Sequence, residues 1–297
     1  MNLEEPRARA RAQLAATAIS VERGGRTVLN DLSVSLGPAS RLAVVGENGR
    51  GKSTLLHVLA GSLAPDSGSV RRVGSLGIAE QEITVDADRT VGDLIDIELA
   101  DARRALRGLD AASLELADGT SGANERYAAA LERATLLGAW DADRRVDLAL
   151  GALGAVTDRR RRLAEMSVGE RYLVRLACLL GADHDFLLLD EPTNHLDQQA
   201  LEYLTTALLE HQGGVVIVSH DRVLLADVAT RVLDLDPSRD GRARLYGNGY
   251  AGYLEGRRSE LDRWVQEHEQ HQAEQIRLAN DLSAAQNRLV SGWRPPK

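Results

Sequence analysis

The chain has 297 residues, is 43% hydrophobic and carries a formal charge of −8, from 44 acidic against 36 basic residues. That length can bury a full core, in one large domain or two small ones. The acidic balance excludes recruitment to nucleic acid by bulk charge and leaves only local basic patches open. A single cysteine, Cys178, rules out an intrachain disulfide and points to a reducing compartment, the cytoplasm. Cys178 sits in the apolar stretch 176–180 and reads as a small buried hydrophobe rather than a reactive thiol. Residues 1–13 read as a flexible leader without the apolar centre of a signal peptide. No stretch approaches the roughly 18 uninterrupted apolar residues of a membrane span, so a soluble protein is expected.

Alternating segments open the chain at 14–22, 28–36 and 42–45, punctuated by Gly24-Gly25 and Gly37-Pro38. They predict short strands joined by tight turns. The last of them feeds Gly46-Glu47-Asn48-Gly49-Arg50-Gly51-Lys52-Ser53-Thr54, which fits the phosphate-loop pattern G-x-x-x-x-G-K-[ST] at every fixed position. Each residue type there has a task. The glycines let backbone N–H groups turn inward around β- and γ-phosphates, forming an anion nest. A helix predicted over 52–61 begins beneath and aims its positive dipole end at the same charge. Lys52 adds a compact cation, and the Ser53 hydroxyl is placed to ligate magnesium. Lys52 and Lys297 are the only lysines among many arginines, and a bulky guanidinium does not replace an ammonium in such a nest. The chain is therefore expected to bind a nucleoside triphosphate.

A turn at 64–68 and a strand-like stretch to Ala79 follow. From Val91 to about Leu163 the pattern is helical, with a break at Asp118-Gly119-Thr120-Ser121-Gly122. Helices at 168–180, 198–210 and 222–229 then alternate with strands at 186–190 and 214–218. Phe186-Leu187-Leu188-Leu189-Asp190-Glu191 reads as a buried parallel strand closed by two carboxylates. Ligands sit beyond the carboxyl ends of such strands. Asp190 can hold magnesium through water there, and Glu191 can orient and deprotonate an attacking water. The strand Val215-Val216-Ile217-Val218 ends in Ser219-His220, which puts His220 at a tip facing the γ-phosphate or that water. The other six histidines read as surface or capping residues, with no metal-ligand spacing. Ser167-Val168-Gly169-Glu170 offers a small polar residue and a glycine at a helix N-terminus, a second anion site that an ordinary helix cap explains about as well. Residues 251–290 are helix formers, a helix of roughly 60 Å. Its irregular apolar stripe (Leu254, Leu261, Val265, Ile276, Ala279, Leu282, Leu289) calls for a partner helix. Trp293 to Lys297 read as an interruption.

In order, these elements resemble the ATP-binding cassette superfamily over residues 14–250. The resemblance implies Walker A at 46–53, a Q-loop glutamine at Gln81, a signature at 167–170, and Walker B with its general base at Asp190 and Glu191. It further implies a D-loop at Leu196-Asp197 and a switch histidine at His220. Asp190-Glu191-Pro192-Thr193-Asn194-His195-Leu196-Asp197, Glu170 in place of glutamine, and Gly247-Asn248-Gly249-Tyr250 with Tyr253-Leu254-Glu255 resemble the ABC-F group. The implied fold is an α/β P-loop NTPase of ABC type, with a mixed sheet core, an antiparallel β subdomain, a helical subdomain at about 86–165 and a long C-terminal helix. The implied cofactors are ATP, held by Gly46, Asn48, Gly49, Gly51, Lys52, Ser53, Thr54, Gln81, Ser167 and Gly169, and Mg2+, held by Ser53, Gln81 and Asp190. Glu191, His220 and Lys52 are the implied catalytic residues. Residues 251–297 would begin a linker to a second cassette, and the family acts on the ribosome in translation or antibiotic resistance. There are departures from the family pattern. Val168 replaces the signature's first glycine, and Arg23 stands where an aromatic ring stacks on adenine. The separation of 81 from 167 leaves room for only a modest extra hairpin. One cassette presents two half-sites, so slow hydrolysis is expected unless two meet head-to-tail. The competing readings are the ATPase subunit of a membrane transporter and an ATP-gated scaffold with little turnover.

Overall fold

Two long alternating strands, β1 (Gln13–Arg23) and β2 (Arg26–Leu36), pair antiparallel, and β4 (Ser67–Val73) joins the far side of β1. Together they form a three-stranded sheet in the order β2-β1-β4. The second sheet has six strands in the order β5-β6-β7-β3-β8-β9. They are β3 (Arg41–Val45), β5 (Leu76–Ala79), β6 (Phe186–Asp190), β7 (Gly214–Val218), β8 (Arg231–Asp234) and β9 (Arg244–Tyr246). The first five are parallel, and β9 closes the edge antiparallel to β8. This computed structural model describes residues 11–80, 88–236 and 242–292. The chain divides into two units, Met1–Tyr250 and Ala251–Lys297.

Every residue of β6 and β7 is buried. That accounts for their unbroken apolar runs, since helices cover a parallel sheet on both faces. Alternate residues of the strands (Leu42, Val44, Leu188, Val216, Val218) share one core with β1, β2 and helix α1 (Lys52–Ala60). The intervening Ala43, Leu187, Leu189, Val215 and Ile217 are just as buried on the opposite face. The helical layer consists of α2 (Val91–Glu98), α3 (Ala100–Ala117), α4 (Ala123–Leu136) and α5 (Ala142–Ala152). It packs against α6 (Val168–Ala182), and α7 (Gln198–Glu210) and α8 (Arg222–Val228) complete the α/β core. The expected ABC-type architecture is present, including the long final helix α9 (Gly249–Gly292). On α9 the described apolar side chains Leu254, Leu261, Val265, Ile276 and Leu282 are exposed.

A buried arginine and a partly buried cluster of three charged or titratable side chains hold these layers in register. Arg41, at the start of β3, donates to the carbonyls of Leu208, Leu209, His211 and Gly213, so one guanidinium closes the carbonyl end of α7. Arg175 of α6 pairs with Glu98 of α2, and His184 Nε2 lies 3.1 Å from the same carboxylate. Burial opposes ionisation of Glu98, but the His184 hydrogen bond and the Arg175 charge outweigh it and hold its pKa below the usual range.

Several expectations change. The single strand-like stretch to Ala79 is two strands, β4 and β5, which belong to different sheets. The helical run ends at Ala152, and residues 153–162 cross as a loop whose Arg162 bridges Thr90. The helix expected over 168–180 does begin at Val168, with Val168, Gly169 and Glu170 as its first turn, and runs on to Ala182. His184 and His211 are not surface residues: their side chains are only 16% and 6% exposed, each beside a carboxylate. Cys178 is buried as expected, and burial pushes its thiol up to about 12.

Candidate active site

The parallel register brings three loops to one edge. Val44 of β3 and Asp190 of β6 both pair with Val218 of β7, so the turns after these strands leave the sheet side by side. The first turn is the phosphate loop. At Gly51 the backbone takes φ 94°, and an added Cβ would lie 2.6 Å from Val28 Cγ1. That position therefore needs glycine on two counts. Asp236, beyond β8, fixes the far side of the loop by accepting the Glu47 N–H at 2.9 Å and pairing with Arg50 at 3.3 Å. Lys52 folds over the loop, and its Nζ donates to the Gly46 carbonyl at 2.7 Å, with Glu47 O at 3.3 Å and Asn48 Oδ1 at 3.5 Å. A cavity of about 280 Å³ opens above it, lined by residues 48, 49 and 51–54 and faced by Arg23 and Val28. Thr54, like Gly49, belongs to that lining.

The Ser53 hydroxyl donates to Asp190 Oδ2 at 2.8 Å. Asp190 is 8% exposed, and its main-chain carbonyl accepts the buried Tyr172 hydroxyl at 3.0 Å. The hard oxygens of Ser53 and Asp190, facing one another across the loop, form the donor set magnesium takes beside phosphate oxygens. Next to them Glu191 holds a left-handed φ of 48°. Its N–H donates to Val218 O at 2.8 Å, and its carboxylate accepts the His220 N–H at 3.3 Å. His220 Nε2 lies 3.4 Å from Glu191 Oε1. Burial raises the Glu191 pKa above the ordinary glutamate value, with the His220 charge and hydrogen bond and the Lys52 charge pulling against it and Asp190 adding to it. A half-buried carboxylate of raised pKa at the tip of a sheet is poised to take a proton from water.

Lys52, Ser53, Asp190, Glu191 and His220 thus converge. Ser167 and Gly169 do not join them: among the described residues no hydrogen bond or ion pair links either to the phosphate loop. Ser167 caps α6 in a reciprocal box with Glu170, through N–H to Glu170 Oε2 at 2.7 Å and Glu170 N–H to Ser167 Oγ at 3.2 Å. Gly169 packs under the ring of His195, where an added Cβ would lie 3.1 Å from His195 Cγ. Asp197 caps α7 by accepting the Ala200 N–H at 2.8 Å. Gln81 lies outside the described residues. Sequence reasoning passed over Tyr172 and Asp236; the one signal for Tyr172 was a lone hydroxyl on the apolar face of a helix.

The family model described as "ABC transporter" matches residues 29–194. The chain belongs to the ATP-binding cassette family. Within it the relatives are of ABC-F type. The tylosin resistance ATP-binding protein TlrC of Streptomyces fradiae is 37% identical over 271 residues, which cover 89% of this chain and 49% of TlrC. The energy-dependent translational throttle protein EttA of Mycobacterium tuberculosis (strain H37Rv) is 34% identical over 241 residues, covering 80% of this cassette chain and 42% of EttA. Among solved structures, the ATP-binding subunit of an ABC transporter is similar with a TM-score of 0.56 at 17% identity, over 74% of this chain and 85% of that one; at that identity the likeness speaks for the fold alone. The cassette chain spans about half the length of the curated relatives it matches. Among its described residues no helix is long and apolar enough to cross a membrane.

Proposed function

We propose that this cassette binds Mg·ATP on the phosphate loop and hydrolyses it when two cassettes meet head-to-tail, as one half of an ABC-F protein that acts on the ribosome in the cytoplasm. The convergence of Lys52, Ser53, Asp190, Glu191 and His220 at one sheet edge carries this reading. Lys52 leaves the Gly46 carbonyl for the β- and γ-phosphates. Glu191 orients the attacking water and accepts its proton, while His220 steadies the Glu191 carboxylate and faces the γ-phosphate. Ser53 and Asp190 would hold magnesium, together with Gln81 outside the described residues, and the ion would supply positive charge beside the phosphates. The remaining work is positioning, which suits a loose transition state.

Ser167 and Gly169 stand apart from the loop, and this separation supports their serving the nucleotide of a facing cassette. Either cassette alone then turns over slowly. The facing cassette could come from the same longer chain or from a second copy. The reading of residues 251–297 as the start of a helical linker rests on the exposed apolar side chains of α9. The ribosomal role is supported by the relatives named for tylosin resistance and translational throttling. The test is co-sedimentation of the Glu191→Gln chain with ribosomes, with and without ATP. ATP-dependent pelleting is expected; absence of the chain from the ribosomal pellet in both conditions would contradict the ribosomal role.

A further inference from the structure

A triphosphate seated on residues 48–54 leaves its sugar and base to meet Arg23 and Val28, the two residues from outside the loop that line the same cavity. A second cavity, of about 460 Å³, shares Arg23, Val28 and Gly49 with the first and adds Arg26. No aromatic ring lines either cavity among the described residues. Arg23 and Arg26 face each other across the β1–β2 turn as a register pair. Both are exposed, and neither makes a side-chain hydrogen bond or ion pair among the described residues. Arg50, the third arginine nearby, is already committed to Asp236 and Glu47. The base end of the site is thus an apolar wall, Val28, beside two uncommitted guanidinium groups.

A guanidinium offers five N–H donors in a planar fork and no acceptor. Guanine presents two adjacent acceptors, O6 and N7, which that fork meets with two parallel hydrogen bonds. Adenine presents one acceptor, N7, beside an N6 amino donor that would face the arginine's own donors. We propose that Arg23 reads the O6/N7 edge of guanine, with Arg26 reinforcing the positive field, so that this site accepts GTP at least as tightly as ATP. This inference rests on the phosphate-loop reading above and goes beyond it in naming the base.

The test is calorimetric titration of the full chain with the magnesium complexes of the β,γ-imido analogues of ATP, GTP and ITP. Inosine shares O6 and N7 with guanine but lacks its 2-amino group. The expected result is that the guanine and inosine analogues bind at least as tightly as the adenine analogue. Arg23→Lys, which keeps the charge and loses the fork, should move the GTP-to-ATP preference about tenfold toward ATP, as should Arg23→Ala. Adenine bound tenfold more tightly than guanine by the wild-type chain, or a ratio unmoved in both variants, would overturn guanine reading and leave the nucleotide site intact. Failure of all three analogues to bind would overturn the phosphate-loop reading itself.

Discussion

His220 Nε2 lies 3.4 Å from Glu191 Oε1, and the His220 backbone N–H donates to the other oxygen of the same carboxylate at 3.3 Å. The histidine therefore opposes the burial that raises the Glu191 pKa. Hydrolysis that uses Glu191 as base falls as pH drops through that raised value, so its acid limb should lie above the ordinary glutamate range. His220→Ala removes the opposing charge and should move the limb higher still, besides slowing turnover. Single-turnover hydrolysis as a function of pH checks this. A limb that stays in place in the variant would separate His220 from Glu191.

The same shift has a stability consequence. A carboxyl group whose folded pKa is raised favours the folded state below its unfolded pKa, and that contribution is lost as pH rises through the folded value. At neutral pH, Glu191 is thus ionised at a cost, on a backbone already in the left-handed region. Glu191→Gln removes the charge and should raise Tm at pH 7, by about 2–4 °C per kcal/mol relieved. The gain should shrink to nothing in acid below the ordinary glutamate pKa. Thermal melts across pH would show a reversed trend if the carboxylate were net stabilising.

Arg41 is a structural counterpart to these site residues. Arg41 is 5% exposed as a residue, and its guanidinium serves carbonyls at the end of α7 and on to Gly213. Burial lowers its pKa, and its partners are carbonyl dipoles rather than a carboxylate. Arg41→Met would leave several buried acceptors unmet and should cost about 2–4 kcal/mol in denaturant unfolding. A loss below about 0.5 kcal/mol would mean that water reaches those carbonyls.

Much of the fold was legible because it is written in local chemistry. The apolar runs of β3, β6 and β7 announce buried parallel strands, and the glycines at 46, 49 and 51 announce the loop between β3 and α1. The two short strands at the β9 end of the sheet are different. β8 offers four residues, Arg231-Val232-Leu233-Asp234, and β9 three, Arg244-Leu245-Tyr246, too short for a period to emerge, so pairing partners rather than pattern define them. Leu99 serves as both C-cap of α2 and N-cap of α3, and a leucine gives no breaker signal there. The loop, Asp190, Glu191 and His220 could be named from spacing. Their distances, the Tyr172 hydroxyl under Asp190 and the burial of His184 and His211 depend on contacts between segments far apart in the chain.

Gly169 and His195 offer a test of the signature. A Cβ at Gly169 would lie 3.1 Å from His195 Cγ and 3.2 Å from Cδ2, so Gly169→Ala should push the ring aside by a few tenths of an ångström. Nucleotide binding at the chain's own phosphate loop should persist while turnover at high chain concentration falls. The double variant Gly169→Ala/His195→Ala should recover turnover, since the obstruction is gone. A double variant as slow as the single one would place the defect elsewhere.

If Lys52 holds a nucleotide whose hydrolysis Glu191 drives, Mg·ATP binding and phosphate release measured on the same samples will separate the two roles. The wild-type chain should bind and release phosphate. The Glu191→Gln chain should bind and release none. Lys52→Ala should bind about tenfold to a hundredfold more weakly, as expected for one lost charge-assisted contact of roughly 1.5–3 kcal/mol. Phosphate release by the Glu191→Gln chain at the wild-type rate, or binding by Lys52→Ala as tight as wild type, would contradict the account.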